Sequence, residues 1–253
     1  MTSISALALS VSMAAAAGLV GCFAVMRRMT LASDAISHVA LPGIGVAIAF
    51  RIHPLLGGLA ALLVGTLLVW ALEERTRMPT ETVIGVVFST ALAIGALLAS
   101  GEDLIDALLG APRALGPWEV ALGIGAALAV AAFVLSQRHR LVVALVSTDL
   151  ARTSGVDVRR LSLMFLVAFA VTVALGLRYL GVLLMGSLII IPAATAKHLA
   201  RDLHAMLAVA VSLAVGATVV GELIADRLHR PTGPLIIVVA AAAFFASLLV
   251  RRP

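Results

Sequence analysis

Charged side chains are scarce in this chain: only 12% of its 253 residues are Asp, Glu, Lys or Arg, whereas 62% are hydrophobic. A soluble domain is about a quarter charged and about half apolar, because polar groups must cover its surface. The scarcity of charge therefore excludes an ordinary soluble protein and predicts a protein of the lipid bilayer. The formal net charge of +5 comes from arginines between the apolar runs, so it bears on topology and gives no reason to expect a nucleic-acid partner.

The sequence also lacks the alternation of apolar and polar residues that marks a membrane-spanning β-strand. Its apolar runs are long and unbroken, as in "LIIVVAAAAFFASLLV" at 235–250. A helical span needs roughly 20 apolar residues, and a helix satisfies its own backbone hydrogen bonds in lipid. We therefore expect an all-α, polytopic transmembrane bundle that forms one domain over residues 1–253.

Cysteine is almost absent. Cys22 alone cannot form an intramolecular disulfide, and in its apolar surroundings it is expected to be a small buried hydrophobe. The apolar run from Ile4 to Met26 has no basic leading region and no obvious A-x-A cleavage site. We therefore interpret it as a retained first span and not as a removed signal peptide.

Nine candidate spans can be drawn, and the seventh contains Pro192, so eight uninterrupted spans are an alternative. The predicted ranges are 3–26, 34–51, 54–72, 80–99, 117–136, 161–177, 180–198, 203–224 and 233–250. With nine alternating spans, one side of the membrane receives thirteen of the 18 basic residues and the other side five. The excess of basic residues marks the cytoplasmic side, which predicts an outside N-terminus and a cytoplasmic C-terminus.

The connections leave no room for a soluble catalytic domain, and no G-x-x-x-x-G-K-[ST] phosphate-binding loop is present. The longest cytoplasmic connection covers 136–160. Helix-start residues at Ser147, Thr148 and Asp149, followed by Gly155, predict a short surface helix there. Composition alone leaves open whether this helix only rests at the lipid interface or binds another protein.

Asp34 and His38 are the most informative polar residues, because they lie four positions apart in a predicted span. On a helix such residues share one face, with Cβ atoms about 5–6 Å apart. A carboxylate and an imidazole together suit zinc, manganese or ferrous iron. Two ligands make an incomplete shell, which would let a transported ion leave. From spacing alone an alternative stays open, in which Asp34 caps the helix and His38 is a buried neutral side chain.

Several other residues are candidates for the ion pathway or its gating. Pro42 cannot donate a backbone hydrogen bond to the carbonyl of His38, and Gly43 and Gly45 would let a second helix approach closely. Gly186 and Pro192 in the seventh span are candidate yielding points, although simple helix packing explains them equally well. Glu222, near the outer end of the eighth span, would either attract cations or reach the membrane surface as a snorkelling acid.

Three segments resemble the permeases of ABC importers for zinc, manganese or iron. They are "VMRRMTLASDAISHVALPGIGVAIAF" at 25–50, "STDLARTSGVDVRRL" at 147–161 and "GVLLMGSLIIIPAATAKHLAR" at 181–201. They occur in the same order as in that family and reach from the first span to the seventh. Ser33 departs from the glycine usual before the Asp; because serine is also small, the departure leaves the ligands in place.

The resemblance implies a permease that binds no permanent cofactor and passes a divalent Zn²⁺, Mn²⁺ or Fe²⁺ ion. It assigns Asp34 and His38 as ligands of that ion, and Asp149, Ala151, Gly155 and Val156 to the helix that docks on the ATPase. The implied partners are a second copy of the chain, an ABC ATPase subunit that hydrolyses the ATP, and an extracytoplasmic metal-binding protein. The implied location is the plasma (inner) membrane of a prokaryote.

Two other functions would leave different marks in the sequence. An intramembrane metalloenzyme would need H-E-x-x-H or a comparable third ligand with a general base, and the sequence contains no such cluster. A secondary transporter driven by an ion gradient would need no ATPase and would commonly show internal repeats, which are not evident here. Neither alternative explains the three matching segments.

Overall fold

The structure of the chain is a computed structural model. It describes residues 4–29, 32–52, 54–76, 78–98, 116–179 and 182–249. The side chains of a few residues inside these helices, including Asp34, lie outside the described part. Within the described ranges every regular element is an α-helix, as the composition predicted.

Ten helices form in the described ranges, nine of them long. In chain order they are α1 (Ile4–Met26), α2 (Ala32–Ala49), α3 (Pro54–Thr76), α4 (Thr80–Leu98), α5 (Pro117–Val146), α6 (Thr148–Thr153), α7 (Val158–Tyr179), α8 (Val182–Leu199), α9 (Leu203–Leu228) and α10 (Thr232–Leu248).

Each of the nine predicted spans coincides with one long helix, so the positions of the helices were predicted correctly. One boundary was wrong: α5 continues to Val146 instead of ending near Ser136, because the apolar run at 141–146 extends the helix past its charged residues. The suspected break at Pro192 does not occur either, since α8 is continuous from Val182 to Leu199.

Five helical stretches of the described chain are long and apolar enough to cross a membrane by themselves. They are Ile4–Met26, Leu56–Thr76, Pro117–Val146, Val158–Gly176 and Leu203–Leu228. The other long helices contain shorter apolar segments. A multi-pass helical membrane protein follows from this pattern, whereas the full number of spans stays a prediction.

α1 lies at the centre of the bundle. It is apolar on all sides, as expected of a helix buried within a membrane protein, and it packs against α5, α7, α8 and α9. Gly21 makes the tightest of these contacts: a Cβ atom at this position would collide with the backbone carbonyl of Ile189 in α8. Small residues let helix backbones approach in this way in membranes.

α2, α3 and α4 pack on one another beside this central group, and α2 also contacts α7 and α8. α2 and α3 touch backbone to backbone at Gly43 and Gly57. A Cβ atom on either glycine would collide with the carbonyl oxygen of the other. The close approach predicted for Gly43 is thus confirmed, and it joins the second half of α2 to the first turn of α3.

Candidate functional site

α2 carries both residues of the predicted metal site. Positions 34 and 38 lie one helical turn apart on its backbone, while the side chain of Asp34 lies outside the described part. The His38 side chain is half-buried and faces α4. Its ring centroid is 5.7 Å from that of Phe88. Phe88 is therefore a neighbour of the site that sequence reasoning missed, because no pattern in the sequence pairs α2 with α4.

The start of α2 bears on the alternative role of Asp34. α2 begins at Ala32, so Asp34 lies inside the first turn and not at the capping position before it. An acidic residue in a first turn still interacts favourably with the helix dipole. The backbone thus disfavours a cap at Asp34 and leaves its role as a ligand a prediction.

The candidate ion site contains few groups that bind metals. Among the side chains that the structure describes, no group of three or more His, Cys, Asp or Glu residues could hold a metal ion. A cavity of about 340 Å³ lies between α2, α3 and α4, with Val39 and Pro42 in its wall. Among the described residues that line it, Thr90 alone is polar, so these residues offer almost no ligands for an ion. The predicted site rests on the two residues of α2.

The proline residues proposed for gating lie inside continuous helices. Pro42 is half-buried within α2, and Pro192 is buried within α8, as is Gly186. Each proline lacks an N–H, so the carbonyl four residues earlier loses its usual backbone partner. For Pro42 that carbonyl belongs to His38. A gating role for these three residues stays a prediction.

Glu222 is buried inside the bundle, whereas one of its two predicted settings was the membrane surface. Only 7% of its surface is exposed, and one of its carboxylate oxygens has no hydrogen-bond partner within the described residues. α9 packs against α1, and Ser10 of α1 is a neighbour of the carboxylate. The prediction that Glu222 reaches the membrane surface as a snorkelling acid was therefore wrong, because α9 places this side chain against α1 and away from the surface.

The short helix predicted within residues 136–160 is present as α6. The Ser147 hydroxyl caps it by accepting a hydrogen bond from the Leu150 N–H at 3.2 Å. Gly155 ends it with a positive φ of 77°, a conformation that glycine adopts without steric cost. Asp149 is exposed, Ala151 is buried and Val156 is half-buried. These four assigned positions therefore lie on one compact turn-and-helix unit.

Charged and aromatic side chains gather where α1 and α3 end and α4 and α7 begin, which we call the α6 end. The Arg27 guanidinium lies 4.5 Å from the Phe165 ring centroid and donates to the Ser162 hydroxyl at 3.4 Å. Burial lowers the pKa of Arg27, and the nearby Glu73 carboxylate partly offsets this effect. Glu73 also accepts a hydrogen bond from the Thr80 hydroxyl at 2.6 Å.

A second group at the α6 end joins α7 to α3. The Arg159 guanidinium lies 4.7 Å from the Trp70 ring centroid, and its Nε is 3.6 Å from a carboxylate oxygen of Glu74. The indole N–H of Trp70 donates to the backbone carbonyl of Arg159 at 3.4 Å. The pairing of Trp70 with Arg159 was not predicted from the sequence, since 89 positions separate the two residues.

These features define the class of the protein: a multi-pass helical membrane protein with a short capped helix at one end of the bundle. The chain belongs to the ABC 3 transport family, because the sequence model of that family matches residues 2–251. It is therefore a transport permease, in agreement with the resemblance noted in its three motifs.

Named relatives cover nearly the whole chain. The manganese import system permease protein ScaB of Streptococcus parasanguinis is 28% identical over 97% of this chain and 89% of its own length. The high-affinity zinc uptake system membrane protein ZnuB of Haemophilus influenzae is 27% identical over 92% of this chain and 91% of its own. Among solved structures, PsaBC from Streptococcus pneumoniae in complex with Fab matches with a TM-score of 0.80 and 26% identity, covering 96% of this chain and 89% of the other.

Proposed function

We propose that this chain is the membrane-spanning permease of an ATP-driven importer for divalent transition-metal ions, with manganese and zinc as the leading substrates. The observation that carries the proposal is the match of the ABC 3 transport family to residues 2–251 in a chain that places an aspartate and a histidine one turn apart on α2. Relatives named for manganese and for zinc support the class of substrate.

Asp34 and His38 would hold the ion in transit. A cation that leaves water needs substitutes for its hydration shell, and a carboxylate supplies charge together with an oxygen ligand. An imidazole nitrogen favours transition metals over magnesium and calcium, which prefer oxygen ligands only. An ionisable residue within a membrane segment is costly and is usually retained for such a role.

ATP would be hydrolysed by separate ABC ATPase subunits bound at the α6 end. The exposed Asp149 and the helix end at Gly155 suit a docking helix. The distribution of basic residues predicts that this end of the bundle faces the cytoplasm. We further propose that two copies of the chain form the translocation unit in a prokaryotic plasma membrane. An extracytoplasmic metal-binding protein would deliver the ion at the opposite end and select it.

Metal uptake into vesicles that contain the permease, its ATPase and its binding protein tests this proposal. Asp34→Asn and His38→Ala are each expected to lower uptake at least about tenfold, since even second-shell partners of metal ligands contribute 10- to 100-fold. Assembly and ATP hydrolysis should persist. Offering manganese, zinc and iron separately identifies the preferred ion.

Asp226→Asn and His204→Ala are matched controls, because both residues are exposed and neither belongs to the proposed site. Both controls should transport like the unaltered permease. If uptake survives Asp34→Asn and His38→Ala, the pair is not the ion site. If the unaltered complex shows no ATP-dependent metal uptake, the proposed function itself is wrong.

A further inference from the structure

The joint between α7 and α3 gives the bundle a route from α6 to the candidate ion site. We propose that Trp70 and Arg159 are positioning residues that transmit movement of α6 to α3, and through α3 to α2. This inference rests on the proposed function, because it requires an ATPase that moves α6 and an ion site on α2.

The first step of the route is the connection from α6 to Arg159, which is held by local hydrogen bonds. The Val156 N–H donates to the carbonyl of Ala151 at 2.9 Å across the turn at Gly155. The Asp157 carboxylate then accepts from the Arg160 N–H at 3.0 Å and caps α7. These hydrogen bonds hold the turn between α6 and α7 at both of its ends. Displacement of α6 therefore also displaces the first turn of α7.

The second step is the joint itself. Arg159 engages α3 through its guanidinium over the Trp70 ring, its ion pair with Glu74 and its backbone carbonyl, which accepts the indole N–H. The side chains of Arg159 and Glu74 are 63% and 41% exposed, and exposed ion pairs contribute little to stability. Removing these contacts is therefore expected to leave the bundle folded, so a variant of the joint can be tested for coupling alone.

The third step is the fixed contact between α3 and α2. Gly57 and Gly43 leave no space for a Cβ atom between the two backbones, so movement of α3 toward α2 displaces α2. In addition, a Cβ on Gly65 of α3 would meet the Val39 side chain of α2 at 2.6 Å. α2 carries Asp34 and His38. Movement of α3 near its end, at Trp70, is therefore passed along α3 to α2, which holds the predicted ligands.

The test measures metal transported per ATP hydrolysed in vesicles containing the full complex. Trp70→Ala and Arg159→Ala are expected to lower this ratio by roughly 2- to 30-fold, the range of couplings carried by residues outside a binding site, while the ATPase rate is retained. The double variant should be no worse than the more severe single variant, because both remove the same joint. Trp70→Phe keeps the ring over the guanidinium and should recover most of the ratio.

Trp118→Phe and Arg75→Ala are the controls. Trp118 is 73% exposed at the start of α5, and Arg75 is exposed one residue beyond Glu74 on α3; both should leave the ratio unchanged. The inference is overturned if transport and hydrolysis fall by the same factor, if the Trp70 and Arg159 variants keep the normal ratio, or if they prevent assembly. In each of these cases uptake by the unaltered complex still supports the proposed function, whereas its absence rejects both.

Discussion

At the scale of single residues, several helices are followed by a residue in the left-handed backbone conformation, a position that glycine usually occupies. Gly155 fulfils this role after α6 and was predicted from the sequence, because glycine is the common helix stop. Arg28, Arg51 and His229 adopt the same conformation with φ values of 60°, 57° and 51°, and no sequence rule indicates them. After α1, the Met29 N–H donates to the Ala24 carbonyl at 2.9 Å, which completes the stop despite an unfavourable residue.

The left-handed Arg28 predicts a stabilising substitution. Arg28→Gly removes the contact between Cβ and the following carbonyl, worth about 1–2 kcal/mol for an L-residue, and loses part of that gain to the entropy of a more flexible unfolded chain. We expect a net gain of about 1 kcal/mol, seen as a higher thermal unfolding temperature of the purified permease in detergent.

Arg28→Ala is the matched control for this prediction, because it removes the charge and keeps the Cβ atom. It should not raise the unfolding temperature. Equal stabilisation by Ala and Gly would mean that the arginine charge, and not the backbone conformation, lowers stability at this position.

At the scale of helices, the sequence located the elements and left their packing undetermined. Long apolar runs separated by basic residues placed nine helices correctly, since length and composition suffice to predict a span. Packing depends on which faces meet, and helices that are apolar on every side carry no amphipathic signal. The burial of Glu222 against α1, the pairing of His38 with Phe88 and the joint of Trp70 with Arg159 all depend on contacts between distant segments. For this reason the motif of the candidate site was predicted and its neighbours were not.

The contact between α2 and α3 predicts opposite effects at two helical glycines. Gly57→Ala would place a methyl group 2.6 Å from the Cβ of Ala47 and against the carbonyl of Gly43, and overpacking of this kind costs about 1–3 kcal/mol. Gly85→Ala in α4 meets nothing within 4 Å, so it should be neutral or gain up to about 1 kcal/mol from helix propensity.

Thermal unfolding and metal uptake of both variants check this prediction. Gly57→Ala should unfold at a lower temperature and transport less metal, whereas Gly85→Ala should behave like the unaltered permease. If Gly57→Ala is as stable and as active as Gly85→Ala, the two backbones do not touch as closely as described, and α3 would not be fixed to α2.

At the scale of the whole molecule, the bundle joins a central group around α1 to the neighbouring group of α2, α3 and α4. The two groups meet where α2 packs on α7 and α8 and where α3 packs on α7. The candidate ligands lie on α2 and the proposed docking helix α6 precedes α7, so the two proposed functional parts of the chain belong to different groups. In the proposed mechanism, coupling between them passes through these shared contacts and depends on how the bundle is oriented in the membrane.

The orientation predicted from the basic residues can be measured with single cysteines at the two ends of α5. This helix has 30 residues, which is about 45 Å at 1.5 Å per residue and enough to cross a bilayer. In a Cys22→Ser background, Trp118→Cys and Asp149→Cys place exposed thiols at its start and just after its end. In right-side-out vesicles a membrane-impermeant maleimide should label Trp118→Cys at once and Asp149→Cys only after the membrane is opened. The reverse pattern would put α6 outside the cell, where no ATPase could bind it, and would contradict both the predicted topology and the proposed docking role.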